Sequence, residues 1–304
     1  MARPWRGVWP VVPTVFTETG DLDLEGQRRV LDCMVAQGSD GLCILANYSE
    51  QFLISDEDSE TLARTCLEHV AGRLPVIVAA SHFSTRIVVE RCLRAAELGA
   101  AMVMLMPPYH GTGLRGTEAQ TYEQFARAAE AGLPIMVQDA PLSGVELSVA
   151  FLARLAREIA GVAYFKIETP QAAGKLRALI RAGGEAIEGP FDGEEAITLM
   201  ADLDAGATGT MPSALLPDLL KPVVDAHREG RREEAAAAYA RVLPLINYEN
   251  RQCGLRACKA AMKAGGVIRS DHVRAPLGPL EPEVLAGLLE LARPLDLLAL
   301  RWGL

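Results

Sequence analysis

The sequence predicts a (β/α)8 TIM barrel with a C-terminal helical extension. Eight short apolar runs alternate with amphipathic helical segments over the first 212 residues, and this order is typical of parallel βα units. Each intervening helical segment tends to end in glycine, where a left-handed residue stops a helix at little cost, and a strand pattern follows within a few residues. From Ser213 onward the pattern contains only helical segments.

The eight predicted strands share short length and apolar character. They are GVWPVVPTVF (7–16), DGLCILAN (40–47), PVIVAAS (75–81), AMVMLMP (101–107), PIMVQDAP (134–141), VAYFKIET (162–169), EAIEGP (185–190) and ATGTMP (207–212). The predicted helix-ending glycines are Gly38, Gly72, Gly99, Gly132 and Gly161. A doubly wound open sheet is the alternative to the barrel.

The last third of the chain predicts the helical extension. Its helical segments are PDLLKPVVDAHREG, EEAAAAYARVLPLINYEN and PEVLAGLLELARPLDLLALRW. We therefore expect a barrel over residues 1–230 and a C-terminal helical extension over residues 231–304, packed on the barrel.

Composition excludes several classes of protein. The chain has 304 residues, of which 50% are hydrophobic and 23% charged, with a net charge of −9 and scattered basic residues. This balance is globular and argues against a nucleic-acid surface. No apolar run reaches the roughly 18 residues of a membrane helix, and the N-terminus lacks a signal-peptide core, so we expect a cytoplasmic protein without membrane association. The six cysteines form no CxxC pair, which favours reduced, buried thiols over disulfides or zinc.

Lysine is scarce, and one lysine has an unusual position. Only five lysines occur, and the first 165 residues contain none. In VAYFKIET the strand period of two puts Lys166 and Glu168 on one face, near the end of the strand where barrel enzymes carry their reactive groups. Desolvation lowers the pKa of a lysine and favours the free amine that forms a Schiff base, while a neighbouring carboxylate moves protons. The alternative is a structural ion pair that fills a layer of the barrel.

Polar side chains after other strands are weaker candidates. Asn47, Tyr48 and Ser49 follow the second strand and offer amide and hydroxyl groups for a substrate carboxylate, and Glu50 comes next. Tyr109 and His110 follow the fourth strand; a lone histidine in a loop is more often exposed than catalytic. After the seventh strand come Asp192, Glu194 and Glu195. Acids that open a helix usually interact with its dipole, so we expect no metal site there.

The chain resembles the dihydrodipicolinate synthase and N-acetylneuraminate lyase family of Schiff-base-forming barrel enzymes. The resemblance runs almost from end to end. It rests on the opening PVVPTVF, the turn ANYSE where the family usually has GTTGE, the stretch ASHFSTRIVVERCLRAAELGAAMVMLMPPYH, Lys166 on the sixth strand and the tail VIRSDHVRAPLGPL.

One departure from the family pattern changes the expected activity. The family's YNxP on the fifth strand reads Gln138, Asp139, Ala140 and Pro141 here. In the family, the tyrosine relays protons during aldol cleavage or condensation, and glutamine cannot act as an acid or base at neutral pH. Synthase and lyase activities are therefore not expected.

The segments LCILANYSEQF, PIMVQDAP, YFKIETP, EGPFDGEEAITL and PLINYENRQ resemble one bacterial branch of this family. The branch dehydrates 2-keto-3-deoxy-L-arabonate to 2-oxoglutarate semialdehyde (2,5-dioxopentanoate) in non-phosphorylated L-arabinose breakdown. The resemblance thus implies a small-molecule 2-keto-3-deoxy sugar acid as substrate, a covalent Schiff base on Lys166 and no metal or redox cofactor. It also implies a homotetramer built as a pair of dimers.

The residue patterns, taken with the resemblance, predict a set of site residues. The predicted catalytic residues are Lys166 as nucleophile, Glu168 as the base that removes a C3 proton, and Tyr109, which supports a water or proton path. The predicted substrate-binding residues are Asn47, Tyr48, Ser49, Gln138, Thr14 and Gly189.

Rival functions remain open at this point. Within the family they are an aldolase that releases pyruvate from a 2-keto-3-deoxy sugar acid and a dehydratase for a hexarate-derived keto acid. From other classes, a sensor that binds a keto acid without turnover predicts thermal stabilisation by the ligand alone, and a purely structural scaffold predicts neither effect.

Overall fold

The computed structural model describes residues 5–111, 113–140 and 143–304. Its strands are β1 (Gly7–Val8), β2 (Leu42–Ile44), β3 (Val76–Ala79), β4 (Met102–Leu105), β5 (Tyr109–His110), β6 (Leu114–Arg115), β7 (Ile135–Asp139), β8 (Val162–Ile167), β9 (Gly189–Asp192) and β10 (Gly209–Thr210). Its α-helices are α1 (Leu24–Ala36), α2 (Asp56–Val70), α3 (Thr85–Glu97), α4 (Glu118–Ala129), α5 (Val149–Glu158), α6 (Ala172–Gly183), α7 (Leu199–Asp204), α8 (Pro217–Arg228), α9 (Arg232–Tyr248), α10 (Arg256–Ala264) and α11 (Pro282–Ala292).

Local chemistry fixes the helix ends. The N-caps Asp23, Ser55 and Ser148 each accept a hydrogen bond from a backbone N–H of the first turn, which satisfies a donor that the helix leaves unpaired. Thr117 forms a full capping box with Gln120 at the start of α4. All five predicted helix-ending glycines have positive φ, from 75° to 93°, as their predicted role requires.

The chain divides into two compact units. Among the described residues, the first comprises residues 5–6 and 76–211, and the second comprises residues 7–75 and 212–304. The first unit contains a parallel sheet with the strand order β3, β4, β7, β8, β9 and β10. Helices α3 to α7 connect successive strands of this sheet along the chain. The short β5–β6 hairpin is antiparallel and follows β4.

The second unit contains the first two predicted strand segments and the helical segments that follow residue 212. Val11 forms parallel bridges with Cys43 and with Ser213, so the segments around these three residues lie side by side. Helices α1, α2 and α8 to α11 belong to this unit. The run of helices after residue 213 is the predicted C-terminal extension, whereas the predicted boundary at residue 230 stays a prediction.

Strand interiors are buried on both faces, as expected for parallel strands covered by helices. Every residue of β3, β4, β7 and β9 is buried. All six cysteines are buried thiols outside any disulfide, as predicted. In the part of the chain that the structure describes, every helix is too short or too polar to span a lipid bilayer.

The seventh predicted strand is in the wrong place. The sequence predicts it at 185–190, but residues 184–186 form a 3₁₀ turn and β9 begins at Gly189. The Gly-Pro pair 189–190 is a typical turn signal, yet Pro190 lies inside the strand. The Pro190 carbonyl accepts a hydrogen bond from the Thr208 N–H, and the N–H of Glu188, two residues earlier, donates to the Ala163 carbonyl. Tertiary pairing thus overrides the local signal.

The helical tail also differs from its prediction. A π-helical segment (Glu249–Cys253) follows α9, and α10 lies where no helix was predicted. The final predicted helix ends at Ala292 and gives way to two 3₁₀ turns. Pro141, at the end of the predicted fifth strand, lies outside the described residues.

Candidate active site

Strand β8 brings Lys166 and Glu168 together, as its period of two predicts. The Lys166 Nζ lies 2.5 Å from Glu168 Oε1. Lys166 is 3% exposed, whereas the Glu168 side chain is 15% exposed. A buried amine in contact with a partly exposed carboxylate has a proton acceptor at hand, which a lysine needs before it can act as a nucleophile.

Gln138 completes this cluster from the neighbouring strand. It is paired in register with Lys166 across β7 and β8, and its Nε2 donates to Glu168 Oε1 at 2.8 Å. One carboxylate oxygen therefore has both the amine and the amide as partners. Gln138 itself is 1% exposed, and its amide can orient Glu168 but cannot take up a proton.

Gly193 presses against the same cluster, and sequence reasoning missed it. A Cβ at this position would lie 2.7 Å from Cγ of both Lys166 and Glu168. Its N–H donates to the carbonyl of Ile167 at 3.1 Å. The available signal was a glycine directly after a buried strand, in GPFDGEE, where close approach of the backbone is a common reason for glycine.

On the other face of β7, Asp139 forms an ion pair with Lys175 of α6. The Nζ–Oδ2 distance is 2.6 Å, and the Asp139 side chain is 1% exposed. Burial raises the pKa of Asp139, an effect that Lys175 opposes. This pair ties the strand that carries Gln138 to the helix that follows β8.

Asp192 ends β9, and Glu194 and Glu195 follow it. Asp192 is fully buried and accepts from the hydroxyl of Thr210 at 2.5 Å and from the Ala196 N–H at 3.1 Å. The Asp202 carboxyl group lies near enough to interact electrostatically with Asp192. Burial, with a contribution from Asp202, raises the pKa of Asp192. Contrary to the sequence expectation, these acids do not open a helix, because α7 starts only at Leu199.

Tyr109 and His110 form β5 of the hairpin. The Tyr109 hydroxyl is buried and has no hydrogen-bond partner among the described residues, and burial raises the pKa of the phenol. His110 is exposed, with its ring 6.3 Å from that of Phe83. The structure joins neither residue to the Lys166 cluster through any hydrogen bond among the described residues.

The remaining predicted site residues, apart from Gly189, lie in the second unit, around a turn formed by residues 46–51. Asn47, Tyr48 and Ser49 form a 3₁₀ turn, and the Ser49 hydroxyl donates to Val12 O at 2.6 Å. Thr14 donates to Ser49 O at 2.7 Å. Thr14 and Ser49 thus hold the turn, while Asn47 and Tyr48 are half-buried.

Gly189 has a packing role in the structure. A Cβ there would lie 2.3 Å from the Tyr164 ring, and Gly189 pairs in register with Tyr164, two residues before Lys166. Tyr164 donates to Glu188 at 3.0 Å, and its pKa rises to about 12 mainly through burial.

The model of the dihydrodipicolinate synthetase family matches residues 4–293. The chain belongs to this family, which confirms the resemblance drawn from the sequence.

Among characterised relatives, an L-2-keto-3-deoxyarabonate dehydratase from Azospirillum brasilense is 61% identical over 299 residues, which cover 98% of this chain and 97% of the relative. A 4-hydroxy-tetrahydrodipicolinate synthase from Xanthomonas axonopodis pv. citri (strain 306) is 30% identical over 90% of this chain and 89% of its own length. A prophage protein of the dihydrodipicolinic acid synthase family from E. coli K12, solved in complex with pyruvate, has a TM-score of 0.89 and 26% identity. The likeness covers 96% of this chain and 99% of that one, which confirms the predicted fold class, a (β/α)8 barrel with C-terminal helices.

Proposed function

We propose that this protein is a lyase that dehydrates 2-keto-3-deoxy-L-arabonate to 2-oxoglutarate semialdehyde through a Schiff base on Lys166. The observation that carries the proposal is the ion pair of Lys166 with Glu168, whose carboxylate also accepts a hydrogen bond from Gln138. Gln138 stands where the family has its tyrosine. The high identity to the Azospirillum dehydratase over nearly the whole chain supports the same reaction.

The first steps use Lys166 and Glu168. Glu168 accepts the proton of the Lys166 ammonium group, and the free amine attacks C2 of the keto acid. Glu168 returns that proton to the carbinolamine hydroxyl, which leaves as water and gives an iminium ion that acidifies the C3 protons. Glu168 then removes one of them to form an enamine, as the 2.5 Å contact with Nζ places its carboxylate beside the reacting nitrogen.

The later steps complete the dehydration. The enamine electrons form the C3–C4 double bond and expel the C4 hydroxyl, which leaves as water after protonation. Loss of a C5 proton and protonation at C3 give an enol at C4 and C5, which becomes the aldehyde. Hydrolysis frees Lys166. There is no net oxidation and the iminium is the electron sink, so these steps require no metal or redox cofactor.

Gln138 explains the choice between dehydration and aldol cleavage. Cleavage of the C3–C4 bond requires a base for the C4 hydroxyl, and an amide cannot serve as that base. Elimination of the hydroxyl is then the faster course. We assign the C1 carboxylate or C4 hydroxyl of the substrate to Asn47, Tyr48 and Ser49, a substrate hydroxyl to Gln138 and a water or proton path to Tyr109. Thr14 and Gly189 are the remaining substrate-binding residues of the proposal.

We further propose that the protein is a cytoplasmic homotetramer. The tetramer, a pair of dimers, rests on the resemblance to the family. A reducing compartment is consistent with six cysteines that are all buried thiols.

Incubation with 2-keto-3-deoxy-L-arabonate, followed by proton NMR, tests the reaction. We expect an aldehyde signal from 2-oxoglutarate semialdehyde. Pyruvate with glycolaldehyde would instead identify an aldolase and refute the argument from Gln138. Borohydride reduction with substrate or pyruvate should add mass at Lys166, and labelling of another residue would exclude the Schiff base proposed here.

A further inference from the structure

Lys259 of α10 is the most deeply buried charge in the second unit and has no part in the reaction described so far. It is 0% exposed. Its ammonium group forms an ion pair with Glu50, donates to the carbonyls of Thr14 at 3.2 Å and of His272 at 2.5 Å, and lies 4.9 Å from the centre of the Phe16 ring. All three ammonium protons therefore have acceptors.

Glu50, the partner of Lys259, sits in a strained position. It is 2% exposed and adopts a left-handed conformation with φ 61° and ψ 33°, between the 3₁₀ turns 47–49 and 51–53. A non-glycine residue keeps such a conformation only when its surroundings fix it. Here the surroundings are Lys259 at one carboxylate oxygen and the Arg274 N–H, at 3.4 Å, at the other.

The contacts of Lys259 converge on the segments proposed to bind substrate. Glu50 directly follows Asn47, Tyr48 and Ser49. The Thr14 carbonyl accepts a hydrogen bond from the Lys259 ammonium group, and the Thr14 hydroxyl donates to Ser49 O. One ammonium group thus links the turn, the segment at Thr14 and the C-terminal segment at His272, although Glu50 and Lys259 are 209 residues apart in the chain.

We propose that Lys259 is a positioning residue for substrate binding, acting through Glu50 and Thr14 to hold residues 47–49 in their binding conformation. This inference rests on the proposed function, in which those residues bind the substrate. Removal of Lys259 leaves a buried carboxylate without its cation and releases the left-handed residue. The turn then shifts, and displacements of about 1 Å at positioning groups can cost up to about 100-fold in catalysis.

The test compares Lys259→Met with Lys263→Met. Lys263 lies one turn further along α10 and pairs with Asp271, but its side chain is 49% exposed. Two quantities are measured: kcat and KM for dehydration, and the pyruvate concentration that gives half-maximal borohydride trapping at Lys166. For Lys259→Met we expect both KM and the trapping concentration to rise about tenfold or more, with kcat within about threefold. Lys263→Met should match the wild type within about twofold.

Two further variants keep the test decisive. Glu50→Gln retains the shape and an acceptor oxygen, so it should fold if Lys259→Met does not, and we expect KM to rise by about threefold or more. Adding Glu50→Gln to Lys259→Met removes the unpaired carboxylate and should recover part of the lost substrate binding. A lower Tm with KM and trapping unchanged, or a fall in kcat alone, would assign Lys259 a purely structural role.

The trapping arm separates this inference from the proposed function. If the wild type traps pyruvate but does not dehydrate the sugar acid, the proposed substrate is wrong, and the trapping concentrations still decide the role of Lys259. If the wild type traps nothing at Lys166, both proposals are overturned.

Discussion

Glu168 is the residue on which the proposed proton transfers depend, because its carboxylate is in contact with the reacting amine and is oriented by Gln138. It carries two duties in the mechanism, as acceptor of the lysine proton and as base at C3. Substitution of Glu168 by glutamine, a neutral side chain of the same shape, distinguishes these proton transfers from a packing role.

Glu168→Gln should lower turnover about 100-fold or more, since an amide cannot take up the C3 proton. Schiff-base trapping at Lys166 should survive, because the Lys166 amine still attacks the keto group, and a long incubation compensates for the slower attack. Steady-state kinetics and mass spectrometry check the two parts. Glu185→Gln, at an exposed site, is the control, and near-normal turnover of Glu168→Gln would remove Glu168 from the mechanism.

Gly193→Ala should reduce kcat/KM about tenfold or more while the fold persists. The added methyl group would lie 2.7 Å from the stems of Lys166 and Glu168 and must displace one of them. The matched control is Gly174→Ala on α6, where a Cβ meets no atom within 4 Å. Equal activity of the two variants would show that the stems adapt without cost.

At the scale of elements, the π-helical segment after α9 combines two unusual contacts. Glu249 is 1% exposed and accepts from the Ser213 hydroxyl at 2.5 Å, while Asn250 Oδ1 accepts from the Tyr48 hydroxyl at 3.3 Å. π-Helical turns are rare and often occur at functional sites. Here the segment provides a contact to a residue of the proposed binding turn.

Glu249 also makes stability depend on pH. Burial raises its pKa to about 8, so between about pH 5 and pH 8 the folded state keeps a proton that the unfolded chain releases. Its contribution to stability therefore falls as the pH rises through this range. Glu249→Gln removes the titration, and the gain in Tm over wild type should be larger at pH 8 than at pH 5.

Thermal unfolding at the two pH values, with Glu290→Gln as an exposed control on α11, measures this difference. The control should show no such dependence. A Tm difference for Glu249→Gln that is the same at both pH values would mean that Glu249 is already ionised in the folded protein.

At the scale of the whole molecule, we expect four copies of the 32.6 kDa chain to associate. Light scattering after size exclusion should report about four times the chain mass, and dilution should reveal a dimer before a monomer, because a pair of dimers has two kinds of interface. A monomeric mass across the concentration range would refute the tetramer.

The sequence alone predicted the parts of this protein that local rules control. The alternation of strands and helices, the glycine helix ends and the shared face of Lys166 and Glu168 follow from periodicity and from backbone freedom, which act over a few residues. The missing tyrosine at Gln138 was likewise visible in the sequence, through the resemblance to the family.

Only the tertiary structure decided which distant groups meet. The register that places Gln138 beside Lys166, the strand that begins at Gly189 and runs through Pro190, and the contact of Gly193 with the lysine depend on pairing between separate elements. The burial of Lys259 against Glu50 is the clearest case, because nothing in either neighbourhood indicates the other. Local propensity constrains the backbone of a segment, but the free energy of burying a charge depends on the partner that the whole fold brings to it.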